Sequence, residues 1–192
     1  VAPEHCCNDV LALMGKPPIE EYDKFKAKFA TLTKEAGKEQ YIVPYLISSH
    51  PGSTLESAIE LALYLKKNNL NPEQVQDFYP TPGTASTCMF YSGYDPMTMK
   101  EIYVARDYEE KQMQRALLQF ARPANAPLVR KALIKAGRED LIGNGRDCLV
   151  RPAVHTQNRP VKGKPTGRSG NRPSNKPNNK KPQNQKRGKK QW

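Results

Sequence analysis

Residues 40–83 constrain what this 192-residue chain can fold into more than any other stretch. They read as strand, turn, helix, strand, turn. Tyr41-Ile42-Val43-Pro44-Tyr45-Leu46-Ile47 is a short apolar run of β-branched and aromatic residues, the make-up of a covered strand. Ser48, Ser49, His50, Pro51 and Gly52 break it. Ser53 and Glu56 have capping-box spacing, which predicts a helix from that point. Leu55, Ala58, Ile59, Ala62 and Leu63 then supply one apolar stripe, and Asn68, Asn69 and Pro72 end it. Val75-Gln76-Asp77-Phe78-Tyr79 reads as the second strand, stopped by Pro80, Thr81, Pro82 and Gly83. Two strands joined by one helix over about 30 residues form a βαβ unit, so the strands should be parallel.

In parallel α/β sheets and barrels, ligands bind beyond the carboxyl ends of the strands. His50-Pro51-Gly52 and residues 79–83 fall at that edge. Pro and Gly there also serve simply to turn the chain, and spacing alone leaves both readings open.

The flanks are helical. Asn8 or Asp9 can cap a short helix through Val10, Leu11, Ala12, Leu13 and Met14, closed by Gly15. Pro18 suits the first turn of a longer helix. Its stripe of Tyr22, Phe25, Phe29, Leu32 and Ala36 is expected to face a core, and Gly37 to end it. Residues 84–93 read as irregular, Tyr94-Asp95-Pro96 as a turn, and residues 102–104 as a short strand. Asp107 and Glu110 repeat the capping-box spacing and open a helix bearing Met113, Ala116, Leu117 and Phe120. A further helix carries Leu128, Val129, Ala132, Leu133 and Ala136. The short link Arg122-Pro123-Ala124-Asn125 makes these two an antiparallel pair. Residues 141–149, with Gly143 and Gly145, read as a closing loop.

Charge is segregated. The formal net charge is +12, yet residues 151–192 hold 13 Lys and Arg and no Asp or Glu. The remainder has 18 basic against 19 acidic residues and is close to neutral. The tail is rich in Pro, Asn, Gly, Gln, Lys and Arg, cannot build a core, and is expected to be disordered. Such a tail either keeps the chain in solution or attracts RNA or another polyanion. It has no aromatics spaced for base stacking.

The four cysteines, Cys6, Cys7, Cys88 and Cys148, match no zinc or ferredoxin spacing and no secreted disulfide framework. Adjacent Cys6 and Cys7 are awkward as joint ligands, and spacing gives a metal site of His5 with either thiol no support. No metal site is therefore assigned. No signal peptide or run of about 18 apolar residues appears, which predicts a cytoplasmic protein with no membrane contact. Val1-Ala2-Pro3 resembles a strand end with no initiator Met, so the chain is expected to continue something longer. There is no GxSxG, phosphate loop, HExxH or GxGxxG. Spacing and composition thus give a partial parallel α/β layer with a helical appendage.

Val1-Ala2-Pro3-Glu4-His5-Cys6, followed by Val10-Leu11-Ala12-Leu13-Met14-Gly15-Lys16-Pro17, resembles the region after the fourth barrel strand of radical S-adenosylmethionine (SAM) enzymes. Ile42-Val43-Pro44-Tyr45-Leu46-Ile47-Ser48-Ser49-His50-Pro51-Gly52 is similar to their fifth strand and turn, and Val75-Gln76-Asp77-Phe78-Tyr79-Pro80-Thr81-Pro82-Gly83 to the sixth. The runs at 111–120 and 136–143 resemble the tail domain of the YgiQ-type family.

The resemblance implies an α/β fold. Residues 1–86 would be the second half of a (β/α) barrel of parallel strands, 87–150 a small helical carboxyl-terminal domain, and 151–192 the disordered basic tail. It implies the carboxyl-terminal part of a radical SAM iron–sulfur enzyme, inactive alone, whose partner is the missing amino-terminal half of the same polypeptide. The cofactors implied are SAM and a [4Fe–4S] cluster. The family's CxxxCxxC loop, which ligates the cluster, is absent from these residues. Carried over by position, Glu4 and His5 would meet the SAM ribose or amino acid, and Ser48, Ser49 and His50 the adenosine. Gln76, Phe78 and Tyr79 would meet adenine or substrate, and the family often shows Gly where Ser49 stands. The competing reading is a non-enzymatic binding module whose basic tail takes RNA.

Overall fold

The structure is a computed structural model that describes residues 1–153; the expected disorder of the basic tail lies outside the described residues. In chain order the helices are α1 (Asn8–Leu13), α2 (Ile19–Glu35), α3 (Leu55–Lys67), α4 (Ala85–Ser92), α5 (Tyr108–Leu118) and α6 (Ala126–Lys135). Two short strands, β1 (Ile47–Ser48) and β2 (Gln76–Asp77), flank α3. They pair in parallel, Ile47 with Gln76 and Ser48 with Asp77. The βαβ unit therefore forms, in the expected order and direction.

The strands are shorter than the apolar runs that predicted them. Residues 1–4 run parallel to the segment before β1: the Tyr45 N–H donates to Val1 O at 2.8 Å and the Glu4 N–H to Tyr45 O at 3.0 Å. Glu4 and Leu46 form a bridge there. Yet Tyr41, Val43 and Tyr45 are 83, 70 and 53% exposed, so this is no covered strand. The described residues show two short strands and two parallel bridges, and no barrel is evident among them.

Helix α3 holds the fold together because two of its faces are buried. Leu61 and Leu65 pack with Leu46, Val75 and Leu118. Leu55, Ala58, Ile59 and Ala62 pack instead with Met113, Ala116 and Leu117 of α5 and Val129, Ala132 and Leu133 of α6. A single stripe does not describe such a helix; each large side chain buried here stabilises by about 2 kcal/mol. One core thus runs across position 86, from α3 into α5 and α6. The link between α5 and α6 is a 3-10 turn over Pro123–Asn125, as short as the sequence requires.

Four local expectations are corrected. The cap of α3 is Thr54, whose hydroxyl accepts from the Ser57 N–H, because Ser53 is engaged elsewhere. Residues 84–93 are not irregular: Thr84 caps α4 and Gly93, at φ +77°, ends it. Residues 102–104 form no strand, and only Tyr94 and Glu101 bridge. Helix α2 buries no residue; Phe25 and Leu32 on its stripe are 44 and 52% exposed. It is tied to α3 by polar contacts, Tyr64 Oη to Asp23 Oδ1 at 2.6 Å and Lys26 Nζ to Asn68 Oδ1 at 2.6 Å. The expected Asp107 cap of α5 does form, accepting from the Glu110 N–H. No helix among the described residues is long and apolar enough to cross a membrane.

Candidate functional site

The carboxyl ends of the three parallel segments gather most of the residues singled out by sequence. Glu4 closes the first with its backbone in the left-handed region, φ +65°. Its carboxylate meets Lys16 Nζ at 3.2 Å. His5 follows, 1% exposed. Its Nδ1 accepts from the Cys7 N–H at 3.0 Å, which leaves the proton of the neutral ring on Nε2. His5 Nε2 has no hydrogen-bond partner.

The second segment ends in Ser48, Ser49 and His50, all buried. Ser48 Oγ donates to Asp77 Oδ1 at 2.5 Å, tying β1 to β2. Ser49 sits at φ +59°, a conformation that glycine holds freely and serine does not. Its buried Oγ has no partner. His50 is locked at both nitrogens: Nδ1 lies 2.8 Å from Pro51 O and Nε2 2.9 Å from Ser86 Oγ on α4. Burial pushes its pKa below the ordinary value, so the neutral ring dominates at pH 7.

From the third segment, Phe78 meets His50 edge-on with ring centres 5.0 Å apart, and Phe90 of α4 lies 5.6 Å beyond. Lys111 Nζ and the Arg106 guanidinium stand over Phe90 at 5.1 and 5.9 Å. Gln76 and Tyr79 are exposed and have no side-chain hydrogen bond to the cluster among the described residues. The structure thus brings together Glu4, His5, Ser48, Ser49, His50 and Phe78, and leaves Gln76 and Tyr79 outside.

Sequence reasoning missed what supports this edge. Gln114 of α5 is fully buried. Its Oε1 accepts from the Ser49 N–H at 3.2 Å and Ser53 Oγ at 3.1 Å, and its Nε2 donates to Ser53 O at 2.9 Å. Behind it, Tyr103 Oη donates to Glu110 Oε1 at 2.5 Å; burial and that carboxylate raise the phenol's pKa. The helical region therefore clamps the strand-exit turn. Gln114 shares its buried face with Glu110 one turn earlier, and no local pattern in the sequence marked the pair. Gly52, at φ +88°, closes the turn: a Cβ there would meet Leu13 Cδ1 of α1 at 2.3 Å.

The four thiols lie in three separate places. Cys6 and Cys7 are half-buried beside His5, Cys88 is exposed on α4, and Cys148 lies in the closing loop. No three thiols converge among the described residues.

A family model described as "Domain of unknown function (DUF3362)" matches residues 73–191. A UPF0313 protein of Clostridium perfringens is 62% identical over 151 residues, 79% of this chain and 23% of that protein. One from Clostridium botulinum is 59% identical over 150 residues, covering 78 and 24%. One from Methanocella arvoryzae is 55% identical over 168 residues, covering 86 and 28%. The chain spans about a quarter of the length of the curated relatives it matches. No solved structure matches it.

Proposed function

The chain belongs to the family described as a domain of unknown function, DUF3362, and from that membership and the strand-exit cluster we propose that it is the carboxyl-terminal part of a YgiQ-type radical SAM enzyme. The relatives' UPF0313 name is that of the YgiQ-type family. The observation that carries the reading is a pair of orphaned atoms. His5 Nε2 and Ser49 Oγ are buried polar atoms without partners, each at the exit of a parallel segment. Buried polar groups are almost always satisfied, so such a pair marks where a ligand completes the hydrogen bonding. Glu4 and Ser49 hold left-handed backbone beside it, strain of the kind that collects at ligand sites.

The donor set fits SAM. His5 Nε2–H donates, Ser49 Oγ donates or accepts, the Glu4 carboxylate accepts from an amine or hydroxyl, and Phe78 offers an aromatic face beside neutral His50. Bound SAM supplies the family's radical chemistry; these residues bind and orient it. The residues do not fit the [4Fe–4S] cluster, whose ligands would come from elsewhere in the longer protein. Support for a partial barrel comes from the order of the segments, each parallel to the next, with two helices in the first connection and one in the second. Val43 and Tyr45 lie exposed, which leaves room for a further covering layer.

The test uses the full-length protein, reconstituted with iron and sulfide and followed by electron paramagnetic resonance. A reduced [4Fe–4S] signal that changes on adding SAM, and loses that response in His5→Asn and Ser49→Ala, supports the reading. No cluster, or an unaltered SAM response in both variants, overturns it. The charge segregation favours a second reading, a binding module whose basic tail takes RNA and whose globular part is scaffold.

A further inference from the structure

The turn from the first parallel segment into α1 places three metal-ligating side chains together. In an extended strand Cys6 and Cys7 would point to opposite faces. Here the chain leaves Glu4 at φ +65° and enters α1 through Cys7, and that turn folds the side chains onto one another. One ligand atom from each of His5, Cys6 and Cys7 lies within 4.8 Å of the other two. The imidazole is 1% exposed and both thiols are half-buried. Cys6 packs against the cluster that contains Leu46, Leu61 and Leu65, and Cys7 Sγ lies 3.6 Å from Ser57 O of α3. The three side chains are therefore held by surrounding structure and do not hang in solvent.

The spacing suits a thiolate-bound cation. Zinc bonds of about 2.3 Å to sulfur and 2.0 Å to nitrogen, set tetrahedrally, put ligand atoms about 3.5–4 Å apart. The observed limit of 4.8 Å thus needs only small side-chain rotations. Two thiolates and an imidazole select borderline and soft cations over magnesium or calcium.

We propose that His5, Cys6 and Cys7 form a binding site for one thiophilic divalent cation of the zinc class, with a fourth position left for an outside ligand. The site has two thiolates, not three, and shares His5 with the proposed SAM-facing edge. Cys6 and Cys7 are its strong ligands. His5 Nδ1 already accepts from the Cys7 N–H, so histidine is the weaker one.

The experiment titrates the reduced, metal-free 192-residue chain with Cd2+, reading the ultraviolet thiolate-to-metal charge-transfer band, and then competes with Zn2+. One Cd2+ per chain is expected, with proton release on binding, because the thiols must ionise. The band is expected to vanish in Cys7→Ser, to survive in Cys88→Ser/Cys148→Ser, and to weaken about tenfold in affinity in His5→Gln. Cys6→Ala keeps the site next to Leu61 and Leu65 apolar and should also remove the band. A band that persists in Cys7→Ser, or that follows Cys88 and Cys148, overturns the proposal. So does a folded wild-type chain that gives no band.

Discussion

Ser49 carries two burdens that a glycine would not. Its backbone sits at φ +59° and its buried hydroxyl has no partner. Relief of left-handed strain is worth about 1 kcal/mol, and removal of an unpaired buried hydroxyl a similar amount. Ser49→Gly should therefore raise the urea midpoint of the chain, and Ser49→Ala should raise it less because the strain remains. Equal midpoints for both would show that the backbone there is unstrained. Gln114 works in the opposite sense. Gln114→Leu leaves the Ser49 N–H and Ser53 carbonyl buried and unpaired, an expected loss of about 3 kcal/mol in unfolding free energy. A loss below about 1 kcal/mol would mean that water or a rotated side chain replaces the amide. His50 adds a pH dependence. Its folded pKa lies below the ordinary 6.5, so the unfolded chain takes up a proton first as the pH falls. Stability contributed by neutral His50 is complete above 6.5 and is lost as the pH drops below it. His50→Gln should flatten that part of the stability–pH curve.

Which elements could be foreseen follows from how each is stabilised. Helices α3, α5 and α6 bury faces with strong periodicity, and their stripes announce them. Helix α4 carries Cys88, Met89, Phe90 and Tyr91 in unbroken sequence, so its period is invisible, and Thr84 and Gly93 at its ends were the local signs. The strand before β1 had the right composition but lacks a second layer, and Val43 and Tyr45 stay exposed. Helix α2 shows the converse: a clear stripe with nothing buried, because a stripe states what a helix can cover and not whether the partner is present. The strand-exit edge was foreseeable from βαβ topology. Its Gln114 clamp was not, since it joins residues 61 to 65 positions apart. At the start of α3, Ser53 and Thr54 compete for one role. Thr54→Ala should cost about 1 kcal/mol and speed amide exchange at Ser57, whose N–H the hydroxyl receives. Ser53→Ala should leave Ser57 exchange unchanged, because that hydroxyl serves Gln114. The reverse pattern would return the cap to Ser53.

Taken whole, the molecule divides its chemistry by region. Residues 1–150 hold 18 basic and 19 acidic residues, while all 13 basic residues of 151–192 stand without a single acidic one. The globular part is thus nearly neutral, and any attraction for polyanions belongs to the tail. Each phosphate neutralised on single-stranded RNA adds about 0.7 to the slope of log affinity against log salt. The tail has one aromatic residue, Trp192, so bases have no stacking platform and sequence cannot be read. The chain is therefore expected to bind poly(U) and poly(A) alike, with affinity falling steeply between low and physiological salt. A version ending at residue 150 should lose that binding and keep its cooperative unfolding. Filter binding over a salt series checks both. Retained RNA affinity in the shortened chain would move the contact to the globular part, where Arg106 and Lys111 over Phe90 are the cations best placed to make it. Loss of binding with a shallow salt slope would instead show that the tail holds RNA by contacts other than charge.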